Sequence, residues 1–235
     1  MILLKKLFNF GKVYRMPYRD MMRNYPKTSR DSSLLEIRKN VTQDDIQKAK
    51  EFAFDYFDGD RKFGLGGYSY SPKYFRQVVI DFINEYGLSN NSSILDVGCG
   101  KGFMLKDFKD ALPNAKLRGL DISKYCLENS HPEVSNILDF GSCDKLPYES
   151  NSFDLVISIA TIHNLPLNGV KDSIREIIRV SKKHSFIKVN GYKNKYERDL
   201  LFDWNLVAET ILHVDEWTQL FEELGYIGDY SFFVP

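Results

Sequence analysis

The 235-residue chain has only three cysteines, Cys99, Cys126 and Cys143, with no C-x-x-C pair and no zinc-ligand spacing among them. This scarcity excludes a disulfide scaffold and a structural zinc fold, and it suits a reducing, cytoplasmic location. No cluster of metal-ligating side chains is evident either, so no metal is expected. Long apolar runs are missing. Met1-Ile2-Leu3-Leu4-Lys5-Lys6-Leu7-Phe8 is too short and too interrupted for a signal peptide or a membrane span. Repeats and low-complexity tracts are absent. Net charge is zero, but residues 1–40 hold ten Lys or Arg against three Asp or Glu, which leaves the rest acidic by the same margin. Such an arm can meet anionic ligands, RNA or a membrane surface; the simpler reading is a solvated, partly frayed terminus. Hydrophobic content of 43% and charged content of 27% suit one sizeable globular domain with an appendage.

The most informative stretch is Ile94-Leu95-Asp96-Val97-Gly98-Cys99-Gly100-Lys101-Gly102-Phe103. An apolar run ends in an acid, glycines then alternate, and a helical pattern begins. This predicts a buried strand, a tight turn and a helix start, where bare backbone can approach a ligand. A dinucleotide-binding G-x-G-x-x-G requires a third glycine where Phe103 stands. No Y-x-x-x-K pair is found, so a nicotinamide oxidoreductase is disfavoured. The pattern present is D-x-G-x-G-x-G.

The remaining chain divides in two. Residues 1–88 read as a basic arm and a helical cap: a helix opening at Thr42 and running through Ile46, Ala49, Phe52, Ala53 and Tyr56, ended by Asp58-Gly59-Asp60, and a second from Pro72 to Gly87. Between them Gly64-Leu65-Gly66-Gly67-Tyr68-Ser69-Tyr70 is too glycine-rich for a regular element and reads as a lid, a substrate wall or a packing loop. Residues 89–235 alternate strand and helix, which predicts an α/β doubly wound, mostly parallel sheet of six or seven strands. Strands are expected near 93–97, 116–120, 135–140, 153–159, 184–190 and 226–233, with helices near 102–110, 123–129, 168–180 and 215–224. Residues 192–213 read as a partly helical insertion.

Asp121, 25 residues after Asp96, ends the second strand, where a carboxylate can accept both hydroxyls of a ribose; its bland alternative is a helix cap. Further on come Gly141-Ser142-Cys143-Asp144-Lys145-Leu146-Pro147-Tyr148 and Ser152-Phe153-Asp154-Leu155-Val156. These three elements, in this order over roughly residues 90–225, resemble the class I S-adenosylmethionine-dependent methyltransferases, whose fold is Rossmann-like. The glycine stretch is similar to their motif I. The later segment is similar to their G-D-A-x-x-L-P-F followed by S-F-D-L-V, with Ser142 in place of the usual acid and Cys143 in place of alanine. The Gly66-Gly67-Tyr68 loop and the Trp204…His213-Val-Asp-Glu-Trp217 stretch resemble the UbiE-like, or type 11, branch. The resemblance implies cofactor contacts at Asp96, Gly98, Cys99, Gly100, Gly102, Asp121, Ile122, Ser142, Cys143, Asp144 and Ser158, with Asp144 or Ser142 taking the adenine amine. S-adenosylhomocysteine is then the product.

Methyl transfer asks the protein to align acceptor, methyl and sulfur, and to remove a proton from a hydroxyl acceptor. The loop after strand 153–159 reads Ala160-Thr161-Ile162-His163-Asn164-Leu165, so His163 is the candidate base, or else a structural histidine holding the loop. His213 is a second candidate. Tyr68 and Tyr70 could bind the acceptor, cover the cofactor or simply pack. The [DN]-P-P-[YF] turn of exocyclic-amine methyltransferases, a Pro-Cys nucleophile and a double-glutamate loop are all absent. A small-molecule acceptor remains, with oxygen suggested by His163 and a saccharide or surface-polymer precursor by analogy alone. The rival expectations are an RNA methyltransferase using the basic arm, and a cofactor-binding protein without turnover.

Overall fold

In the computed structural model, which describes residues 18–26 and 32–233, the N-terminal region is built on short helices. The basic arm falls largely at residues 1–17 and 27–31, outside the described residues. Helix α1 spans Ser32–Lys39. Helix α2, Gln43–Lys50, starts at Thr42 with a capping box: the Thr42 hydroxyl accepts the Asp45 N–H, and the Asp45 carboxylate accepts the Thr42 N–H. The helix does not continue to Tyr56 as its spacing predicts. Phe52 takes a left-handed φ of 49° and Ala53 is extended, so the chain breaks before α3, Phe54–Phe57. The cause is long-range: the Ser123 hydroxyl donates to the Phe52 carbonyl at 2.6 Å. Helix α4, Pro72–Tyr86, begins on proline and ends at Gly87 in the left-handed region, as its sequence predicts.

The strand–helix alternation then follows. Strand β1 is Ser93–Val97, helix α5 Phe103–Ala111, strand β2 Lys116–Asp121, helix α6 Lys124–Glu128 and strand β3 Leu138–Phe140. Strand β4 is Phe153–Ile159, helix α7 Leu167–Val180, strand β5 Ser181–Tyr192 and helix α8 Lys195–Trp204. Strand β6 is Leu212–His213, helix α9 Val214–Glu223 and strand β7 Asp229–Phe233. The seven strands form one parallel sheet in the order β3-β2-β1-β4-β5. Beyond β5, β7 pairs with residues 186–190 and β6 with residues 191–192. The 192–213 segment is therefore tied to the sheet at its far end rather than standing clear of it.

Alternating side chains build two cores. Leu95, Val97, Val156, Ile187 and Val189 face α7 and α9. Ile94, Leu155, Ile157 and Phe186 face α4 and α5. This is a doubly wound arrangement. Val78, Val79 and Phe82 of α4 belong to that second core, so the helix before Gly87 packs as part of the sheet layer, and the overhanging cap is the shorter stretch before Pro72. Tyr18 bridges onto β7 at Tyr230.

Candidate active site

The site grows from the turn after β1. Gly98 and Gly100 have φ of 83° and 54°, a region that strains any residue with a Cβ. A Cβ on Gly98 would also lie 2.0 Å from the Thr161 hydroxyl, and one on Gly100 would lie 3.1 Å from the Tyr68 ring. The end of β2 holds the turn in place. The N–H groups of Gly98 and Cys99 donate to the Leu120 carbonyl at 2.7 and 3.1 Å. The Gly100 N–H donates to Asp121 Oδ2 at 2.6 Å, and the Ser123 N–H donates to Asp121 Oδ1 at 2.8 Å. Asp121 is 8% exposed; burial pushes its carboxyl up, and backbone N–H groups partly offset this. Beneath the turn lies Asp96, 4% exposed, pushed up to about 7 by burial first and by the Asp121 charge second. Asp121 is thus the carboxylate to which the turn's backbone N–H groups are directed.

A cleft of about 460 Å³ opens over this turn at the C-terminal edge of the sheet, where such folds bind ligands. Gly98, Gly100, Leu120, Asp121 and Ile122 form its floor. Gly141, Ser142 and Cys143 line one side, and Ile159, Ala160, Thr161, Asn164 and Leu165 the other. Tyr25, Lys50, Phe52, Tyr56, Phe57, Leu65, Tyr68 and Phe75 make an aromatic roof. A second hollow of about 340 Å³ beside α8 touches none of the turn residues, so the chemistry is assigned to the first.

The cleft gathers Gly98, Gly100, Asp121, Ile122, Ser142, Cys143 and Tyr68. Asp96, Cys99 and Ser158 are buried outside its lining, and Gly102 caps α5. Of the two stand-ins for the adenine acid, Ser142 lines the cleft and Asp144 does not. The Cys143 thiol accepts the Ser173 hydroxyl at 3.4 Å and is pushed up to about 11 by burial, which leaves it unreactive.

Three candidate catalytic residues are not brought to the cleft. His163 is 2% exposed and turned inward: its Nδ1 accepts the Asn190 N–H at 3.3 Å, and its carbonyl accepts the N–H groups of Glu209 and Thr210 at 3.0 Å. Burial pulls the imidazole down to about 4, so it is neutral, and it faces the core. Tyr70 donates its hydroxyl to Asp107 at 2.7 Å, with its ring against His131. His213 caps α9, its Nδ1 accepting the Asp215 N–H at 3.2 Å. Sequence reasoning missed Asn164, whose Nδ2 donates to the Ala160 carbonyl at 3.3 Å while its buried Oδ1 has no partner. It also missed the roof residues Tyr25, Phe52, Tyr56, Phe57 and Phe75. The spacing of Phe52 and Tyr56 was the available signal, but it equally fits a packed helix face.

These residues fit S-adenosylmethionine. The glycine backbone at Gly98 and Gly100 lines the cleft, Asp121 keeps lone pairs for ribose hydroxyls, and Ile122 beside it is 51% exposed, an apolar face for a flat base.

Comparisons with known proteins agree. Residues 95–189 match the family described as methyltransferase domain. The chain is 28% identical over 145 residues to a malonyl-[acyl-carrier protein] O-methyltransferase of Legionella pneumophila, covering 58% of this chain and 47% of that protein. It is 29% identical over 116 residues to sterol 4-C-methyltransferase strm-1 of Caenorhabditis elegans, covering 45% of this chain and 34% of that one. The chain thus spans less than half the length of these two relatives. Among solved structures, the YcgJ protein of Bacillus subtilis aligns with a TM-score of 0.50 at 18% identity, over 62% of this chain and 66% of that one, a likeness of fold. The glycine turn, the carboxylate closing β2, the parallel sheet and the matched segment are together similar to those of the class I S-adenosylmethionine-dependent methyltransferases of the type 11 branch, and residues 95–189 carry the likeness to a methyltransferase domain.

Proposed function

We propose that the protein transfers a methyl group from S-adenosylmethionine to a small-molecule acceptor held beneath the aromatic roof. The observation that carries this reading is the Gly100–Asp121 pair at the floor of one cleft whose roof is aromatic. When bound, the cofactor supplies an electrophilic methyl group on a sulfonium. The chain's own part is to bind, orient and exclude water. Asp121 accepts from the ribose, Gly98 and Gly100 offer bare backbone, and Ile122 and Ser142 flank the base. The roof rings shed water from the space above the turn. Asn164, on the wall of the cleft, offers its side-chain amide to the acceptor side.

The lining bears on the acceptor class. Its polar groups are few: the hydroxyls of three tyrosines, Ser142 and Thr161, the Asn164 amide, Lys50 and Asp121. An acceptor with an apolar or planar body suits the roof rings better than a saccharide with many hydroxyls to satisfy. The preference for oxygen rested on His163 as base, and that imidazole faces the core. The two relatives' names put the methyl on oxygen in one and carbon in the other, so they do not choose the atom.

The test is transfer of labelled methyl from S-adenosylmethionine into a fractionated small-molecule extract, with mass spectrometry of the product. The expected result is a labelled, low-mass, largely apolar product. Label confined to RNA or protein would overturn the acceptor class. Absence of all transfer by a chain that binds S-adenosylhomocysteine would favour binding without turnover.

A further inference from the structure

Lys101 stands between the glycines of the turn, yet its side chain serves neither the turn nor the sheet. It is 6% exposed, and its ammonium pairs with Asp58, just beyond α3 in the roof. The same ammonium donates to the Tyr68 carbonyl at 2.9 Å. Asp58 in turn accepts the Tyr68 N–H at 2.7 Å and the Tyr125 hydroxyl at 2.5 Å. Both backbone groups of Tyr68 are therefore fixed by one ion pair, its lysine buried and its carboxylate partly so. The Tyr68 ring then lies over Gly100 and packs on Phe103 and Phe57, with centroids 4.7 and 5.6 Å away.

The roof has a second tie, the Ser123 hydroxyl on the Phe52 carbonyl. Both anchors adjoin groups assigned to the cofactor: Lys101 follows Gly100, and Ser123 lies two residues after Asp121. A buried ammonium is costly unless fully paired, and here its pairing partners all belong to the roof. The turn and the roof consequently cannot move independently without exposing or orphaning a charge.

We propose that Lys101 is a positioning residue that carries cofactor binding into the acceptor site: the turn that holds the cofactor also holds Tyr68, and with it the acceptor wall, through Lys101 and Asp58. This rests on the cofactor reading of the turn. Because coupling is reciprocal, a cofactor that steadies the turn steadies the roof, and the latched roof tightens the cofactor by the same factor.

The test is hydrogen exchange by mass spectrometry on the full chain, with and without saturating S-adenosylhomocysteine, whose binding is measured in parallel by titration calorimetry. The amides of Leu65, Gly67 and Tyr68, which donate to Tyr56, Phe57 and Asp58, report the roof. In the wild type the ligand should slow their exchange about tenfold. The double variant Asp58→Asn with Lys101→Met leaves no unpaired buried charge. It should still bind the ligand, weakened by no more than about tenfold, while its roof amides respond less than about twofold. Lys101→Arg should restore the response. If the double variant does not melt as a folded protein, Tyr125→Phe, which removes one donor to Asp58, should give an intermediate response of about threefold. Bound ligand with an unresponsive wild-type roof, or a variant roof that responds as fully as the wild type, overturns the proposal. Absence of ligand binding to the wild type overturns instead the cofactor reading on which it rests.

Discussion

The Gly100 N–H and the Asp121 carboxylate meet at 2.6 Å, joining the turn after β1 to the end of β2. One side chain thus shapes the turn and faces the cleft. Removing it should do two kinds of damage. Asp121→Ala should weaken S-adenosylhomocysteine binding about 100-fold, through lost charge-assisted hydrogen bonds to the ribose and a turn with an orphaned N–H. Asp121→Asn keeps one oxygen for Gly100 and should lose less. Titration calorimetry reads both.

Gly98→Ala should be worse for folding than for chemistry. The new methyl would meet Thr161, and the backbone φ of 83° would be strained as well. A loss of about 2–3 kcal/mol is expected, measured by denaturant unfolding.

His163 faces the core, so His163→Gln should leave methyl transfer within about threefold of wild type at saturating substrate. Its titration should show in stability instead. The folded imidazole sits near 4, below its unfolded value of 6.5, so stability is complete above 6.5 and is lost as pH falls toward 4. That loss approaches about 3 kcal/mol, and the Gln variant should lack it. Calorimetric melts of the pair across this window read the difference.

Asp96 works in the opposite direction. Its folded carboxyl sits near 7 and its ordinary value is 3.8, so the folded state keeps a proton that the unfolded chain has lost. Stability should therefore fall as pH rises from about 4 to 7. Asp96→Asn should be more stable than wild type at pH 8, by up to about 4 kcal/mol, and no more stable at pH 3. Equal melts at both pH values would contradict this.

Ser142 lines the cleft at the position for which the motif resemblance implies an acid. Ser142→Asp should tighten S-adenosylhomocysteine about threefold to tenfold by a charge-assisted hydrogen bond to the adenine amine, and Asp144→Asn should change little. A tenfold loss in the Asn variant would return that role to Asp144.

The sheet and the floor of the cleft were legible in the sequence because each element announces itself locally. Phe153–Ile159 is an unbroken apolar run, and it forms the central β4 with those bounds. Asp121 was legible because a lone acid closes an apolar strand just before a turn. The acceptor side was not legible, because its geometry is set across the chain. The helix through Phe52 breaks on a hydroxyl 71 residues away. Ala160, with φ of 55°, turns the loop so that Asn164 lines the cleft and His163 faces inward, and periodicity carries no signal for that rotation. The placing of β6 and β7 along one edge of β5 likewise depends on pairing that a strand's own residues do not encode.

The most direct measurement is calorimetric titration of S-adenosylhomocysteine into the wild-type chain and into Asp121→Ala. The expected result is one site per chain with a dissociation constant in the micromolar range, roughly 1–100 μM, weakened about 100-fold in the variant. No binding to the folded wild type, or equal affinity in both proteins, would contradict the assignment of this cleft to the cofactor.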